Sequence, residues 1–120
     1  MKNYKGLEIY KISFNLSIQV HKQSLALPKF ELYEQGSQVR RSSKSIKDTI
    51  AEGYGRRRYK ADFVKFLIYA QASCDECLNQ LETLYVIYKD EKWIALYDEY
   101  DSLGKRINKF IQYVEKNWQT

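Results

Sequence analysis

Between Phe63 and Tyr88 the apolar residues recur at spacings of 4, 3, 4, 3, 4, 3 and 4: Phe63, Leu67, Ala70, Cys74, Cys77, Leu81, Leu84 and Tyr88. This is a heptad seam, and a strand, which alternates with period two, cannot carry it. It predicts a helix over 61–88, about 40 Å long at ~1.5 Å per residue. Leu96, Tyr100, Leu103, Ile107, Phe110 and Val114 repeat the 4/3 spacing and predict a second long helix over 93–118. The charged link Lys89-Asp90-Glu91-Lys92 is short enough to make the two antiparallel neighbours.

A third helix is expected over 31–52, with Leu32, Gly36, Val39, Ser43, Ile46 and Ile50 as its seam. Its small residues, Gly36 and Ser43, allow a neighbour to approach closely. Pro28 marks the loop before it, and Gly53 is the expected left-handed residue just past its end. Residues 7–26 are ambiguous taken alone. Ile12, Phe14, Leu16, Ile18 and Val20 alternate with polar residues as in a strand. A lone strand beside three helices would leave its backbone groups unpaired, so a helix is predicted there too. That helix has two apolar faces. Ile9, Ile12, Leu16 and Val20 suit the core. Phe14, Ile18 and Leu25 need a second burial site, for which a neighbouring subunit is the simplest candidate. The expected fold is all-α: one antiparallel up-down four-helix bundle over residues 1–120.

One proline and five glycines in 120 residues agree with long helices. No stretch approaches a membrane span, and no apolar signal segment follows Met1, so no membrane and a cytoplasmic location are the expectations. The net charge of +5 is unevenly placed. From Arg40 to Lys60 eight cations face only Asp48 and Glu52, so the rest of the chain is nearly balanced. Arg40, Lys44 and Lys47 recur at helical spacing away from Val39, Ile46 and Ile50. Arg41 adjoins them, and Arg56, Arg57, Arg58 and Lys60 crowd the following turn, flanked by Tyr54 and Tyr59. Arginines beside aromatics suit phosphate contacts with base stacking. The same residues also suit a solvated face, or a helix C-terminus that favours positive charge.

Catalytic and metal chemistry find little support. Cys74-Asp75-Glu76-Cys77 is a CxxC, but a structural zinc needs four ligands and no second pair exists. A redox CxxC sits at a helix N-terminus, whereas this one lies mid-helix on the seam, as two small core residues. His21 is the lone histidine and has no Glu-x-x-His partner. Gly53-Tyr54-Gly55-Arg56 lacks the lysine and spacing of a phosphate-binding loop. No catalytic residue, metal or cofactor is expected.

Residues 30–57 carry a recognisable pattern. Pro28, Glu31 and Tyr33 precede Ser37-Gln38-Val39-Arg40-Arg41. Then come Ser45-Ile46, Ile50-Ala51-Glu52-Gly53 and Gly55-Arg56. Phe66-Leu67, Ala70, Ser73, Glu76, Gln80 and Leu81 follow. This resembles the four-helix-bundle proteins encoded by intervening sequences of bacterial 23S ribosomal RNA genes, a family related to the accessory proteins of diversity-generating retroelements. The chain departs from the family pattern at Glu34-Gln35, Lys47-Asp48-Thr49 and Ala72-Ser73-Cys74. None of these breaks a helix. The resemblance implies an up-down bundle assembled as a ring-like homopentamer, with no known catalysis. For the retroelement relatives it implies binding to nucleic acid and to a reverse transcriptase. Gln38, Arg41, Ser45 and Glu52 fit either a functional role or a structural one, as groups that hold the helix in register. Three function classes stay open: an oligomeric RNA- or DNA-binding protein, a protein adaptor docking an acidic partner, and, with least support, an enzyme or metal protein.

Overall fold

The heptad seams place their helices where expected. The structure, a computed structural model, describes residues 3–119. After a short 3-10 turn at Tyr4–Gly6 come α1 (Glu8–Ser24), a single turn α2 (Lys29–Leu32), α3 (Gln35–Gly55), α4 (Lys60–Tyr88) and α5 (Glu91–Asn117). The four long helices form an up-down-up-down bundle in which α1 touches α3 and α5, and α4 touches the same two. It is a rod of about 48 × 20 × 20 Å. Among the described residues no helix is long and apolar enough to cross a membrane.

The core is the overlap of the four seams. Phe63, Leu67, Ala70, Cys74, Cys77, Leu81 and Leu84 of α4 are fully buried, together with Tyr100, Leu103, Ile107 and Val114 of α5 and Val39, Ile46 and Ile50 of α3. α1 is a helix and not a strand. It buries Ile9, Ser13, Leu16, Ser17, Val20 and Ser24. The buried serines cost little there, because each hydroxyl donates to the carbonyl three residues back: Ser13 to Tyr10 at 3.0 Å, Ser17 to Phe14 at 2.7 Å and Ser24 to His21 at 2.8 Å. Ile12, expected on the core face, is only half-buried, since the serines take the innermost positions. Phe14 and Ile18 stay 41% exposed and Leu25 57% exposed, so the second apolar face is uncovered within one chain.

Two expected boundaries differ. The helix expected over 31–52 is interrupted at Tyr33 and Glu34, and the carboxylate of Glu31 starts the stretch that follows. Its Oε1 accepts the Gln35 N–H at 3.3 Å, capping α3, while its Oε2 accepts the Tyr88 hydroxyl at 2.9 Å. A carboxylate is favoured at this end of a helix by the dipole. At the other end Gly53 does not terminate the helix, and no glycine takes a positive φ. α3 runs on to Gly55. Gly53 is needed instead for close packing: a Cβ there would lie 2.9 Å from the Cβ of Phe66 on α4. The left-handed cap belongs to Lys89, with φ 56°, at the end of α4. Only Lys89 and Asp90 separate α4 from α5, because Asp90 caps α5 by accepting the Lys92 N–H at 3.0 Å.

Gly53→Ala is therefore expected to destabilise the bundle by about 1–3 kcal/mol, although alanine is the better helix former. Urea unfolding followed by circular dichroism measures this. A more stable variant would mean that α3 and α4 have room to separate.

Candidate nucleic-acid interface

Folding divides the basic segment. Arg40 is half-buried and spends its guanidinium inside the molecule, donating to Ser24 Oγ at 2.9 Å and to the Leu32 carbonyl at 2.8 Å. It clamps the end of α1 and the α2 turn onto α3. Lys44 lies 3.3 Å from His21 Nδ1. Lys47 pairs with Asp48 at 2.8 Å and sits 6.0 Å from the Phe14 ring centroid. These three residues therefore face α1 as a row.

Arg41 points elsewhere, into a polar groove of about 370 Å³ between α3 and α4. Gln38, Arg41 and Ser45 line it from α3, and Ser73, Glu76 and Gln80 from α4. The polar motif residues, scattered along the sequence, thus meet on one surface. Ser45 and Ser73 share a hydrogen bond at 2.9 Å, and Ser42 donates to Gln80 Oε1 at 2.6 Å. These bonds tie the two helices together. Glu52 lies apart from the groove, paired with Arg56 at 3.3 Å.

The arginine turn is built on aromatic rings. Tyr54 is only 7% exposed, so its ring is core and is not presented to a base. Arg57 lies over that ring at 4.0 Å and donates to the Tyr54 carbonyl at 2.9 Å, closing the C-terminus of α3. Arg56 lies 4.7 Å from the Phe66 ring, and Arg58 5.7 Å from that of Tyr59. Tyr59 is 56% exposed. Lys60 donates to the Glu115 carbonyl at 3.0 Å. Trp118, which sequence reasoning passed over, straps the turn from the far end of the chain. Its indole N–H donates to the Arg57 carbonyl at 2.9 Å, and its ring packs edge-on to Phe63 at 5.2 Å. A terminal tryptophan at the end of an amphipathic run was the one signal available.

The bundle brings further cations to this end. Segments 3–14, 48–66 and 105–119 surround the turn and hold eleven lysines and arginines against five carboxylates. The described remainder holds eight cations against ten carboxylates. Beside the turn, a cleft of about 610 Å³ runs between the start of α1 and α5. Leu7, Ile9, Phe110 and Tyr113 form its apolar floor, and Lys105, Arg106 and Lys109 stand at its rim. Arg106 is held by Glu8 at 2.6 Å, and Lys105 by Asp101 at 3.3 Å.

Cys74 and Cys77 are both fully buried free thiols. Burial pushes each thiol up to about 12, so both stay protonated at neutral pH. Cys74 donates to the Tyr100 carbonyl at 3.3 Å. Among the described residues no group of three His, Cys, Asp or Glu side chains could hold a metal. Native protein is expected to resist thiol alkylation at pH 8 and to become reactive at both positions in denaturant, as read by mass spectrometry. The raised thiols also fix a sign. The unfolded chain releases these protons near pH 9 and the folded chain only near pH 12. Their contribution to stability is full below pH 9 and is lost as pH rises through that window.

A family model described as 23S rRNA-intervening sequence protein matches residues 5–109. Among solved structures, the chain is similar to the 1.70 Å crystal structure of a protein of unknown function from the S23 ribosomal protein family of Bacteroides thetaiotaomicron. The two are 21% identical, the match covers 86% of this chain and 97% of that one, and the TM-score is 0.73. That likeness is one of fold. No curated protein matches the sequence.

Proposed function

The chain belongs to the 23S rRNA-intervening sequence protein family, and from that premise we propose that it is a non-enzymatic protein that binds structured RNA through the cationic end of its bundle. The observation that carries this reading is the excess of cations that folding gathers around the arginine turn. Arg56 and Arg58 project from a turn held rigid by Arg57 and Trp118, so little freedom is lost when they meet phosphate. Tyr59 and Tyr113 are exposed aromatic surfaces on which an unpaired base can stack. Lys109 and Lys116 extend the positive surface along α5. Lys44 and Lys47 continue it up the α1 side, whereas Arg40 and Tyr54 serve the fold.

Binding of this kind is dominated by phosphate contacts, so it falls steeply with salt. About four contacts would cost roughly a hundredfold in affinity between about 50 and 200 mM salt. Filter binding of a structured RNA across that range is the test, with duplex DNA as comparator. Absence of retention at low salt refutes the proposal, and equal retention of both would widen it to nucleic acid in general. The apolar floor of the cleft beside α5 favours a second reading, an adaptor that docks an acidic protein such as a reverse transcriptase. A pull-down that survives nuclease treatment distinguishes it.

The uncovered Phe14, Ile18 and Leu25 support self-association, with a homopentamer as the size that the family resemblance implies. Several copies would multiply the cationic end and raise avidity. With RNA as the partner we propose a cytoplasmic location and no cofactor.

A further inference from the structure

α1 and α4 stand at opposite corners of the bundle, and the outward face of each is uncovered. On α4 that face carries Ile68, Ala72, Asp75, Asn79, Glu82 and Val86. Their spacing of 4, 3, 4, 3 and 4 makes one seam on the side opposite the core, apolar at Ile68, Ala72 and Val86 and polar between. Ile68 is 51% and Val86 57% exposed. From Phe66 to Tyr88 the chain has no lysine or arginine, so this seam is purely acidic in charge. On α1 the outward face carries Lys11, Phe14, Ile18, Lys22 and Leu25, with cations only. Among the described residues the side chains of Lys11, Lys22, Asp75 and Glu82 have no hydrogen-bond or ion-pair partner.

The two faces also match in height. Arg106 with Glu8, and Gln23 with Asp90, set α1 against α5. Gln71 with the Gly104 carbonyl, and Lys60 with that of Glu115, set α4 against the same helix. These pairs put Phe14 level with Asp75, Ile18 with Asn79 and Leu25 with Val86. Lys22 falls level with Glu82, and Lys11 lies within a turn of Asp75.

We propose that α1 of one copy docks along α4 of a second copy, side by side and pointing the same way. Leu25 would pack on Val86, and Phe14 and Ile18 on Ala72 and the stems of Asp75 and Asn79, flanked by Lys11 with Asp75 and Lys22 with Glu82. This rests on the self-association proposed above and names its two surfaces. The surfaces differ, so the contact is heterologous: each copy offers one of each, and successive copies join until a ring closes.

Sedimentation of charge-reversed variants tests the pairing. Lys11→Glu with Lys22→Glu should reduce the assembly to a 14.3 kDa monomer. Asp75→Lys with Glu82→Lys should do the same, and all four changes together should restore the wild-type mass. Circular dichroism checks that each variant is folded. A second measurement leaves the charges alone. Oxidised Ile18→Cys/Asn79→Cys protein should form covalent multimers on a non-reducing gel, and neither single variant should do so. If the wild type associates but a folded reversal variant keeps its mass, or no multimers form, the pairing is overturned and self-association stands. If the wild type itself sediments as a monomer, both fall.

Discussion

Arg56→Glu/Arg57→Glu/Arg58→Glu is expected to abolish RNA retention at moderate salt. Three reversals remove three cations and add three anions where phosphates would sit, so the loss should exceed a hundredfold and apply to all RNA sequences alike. The three positions are not equivalent. Arg57 caps α3 and covers the Tyr54 ring, so its replacement also costs roughly 1 kcal/mol of stability. Among the described residues the Arg58 guanidinium meets only the exposed Tyr59 ring. Arg58→Glu alone should therefore weaken binding, lower the slope of log affinity against log salt by about one, and leave thermal stability unchanged. Titrations at several salt concentrations, with melting curves alongside, read all three. Unchanged binding in the triple variant would move the interface away from the turn.

Phe63→Ala should have the largest effect on stability. Phe63 is fully buried where α3, α4 and α5 converge, with edge-on contacts to Tyr54 at 6.1 Å, Phe110 at 5.9 Å and Trp118 at 5.2 Å. Truncating a buried phenylalanine costs about 3–5 kcal/mol, a large share of the ~5–15 kcal/mol that holds a domain of this size. Melting should fall by roughly 10–20 °C. Because Trp118 packs on Phe63 and holds the Arg57 carbonyl, RNA affinity should fall as well, even at temperatures where the variant is folded. Trp118→Phe separates the two effects. It keeps an aromatic ring on Phe63 and deletes the N–H donor, so binding should weaken with little loss of stability. A Phe63→Ala variant that melts like the wild type would mean that this end of the core is loosely packed.

The 4/3 seams determined α4 and α5 almost to the residue, because burial of one helix face repeats with a fixed period and the chain itself records that period. The backbone's need for partners then made α1 a helix despite its alternating pattern. The bounds of α3 were less legible. Gly53 has the local chemistry of a helix end, yet its missing Cβ is used against Phe66, a contact between residues on different helices. Glu31 likewise reads as an ordinary acidic residue until Tyr88 arrives from the end of α4.

The candidate site follows the same division. The sequence alone determined that cations concentrate between Arg40 and Lys60, since charge is a property of composition and position. Only the tertiary structure decided how those cations are used. It turned Arg40 inward to Ser24 and Leu32, buried Tyr54 beneath Arg57, and sent Arg41 to a different face from Lys44 and Lys47. It also brought Lys109, Tyr113 and Trp118 from the last helix to the arginine turn. The physical reason is that a side chain's availability depends on which neighbours satisfy it first, and in a bundle those neighbours come from helices tens of residues away.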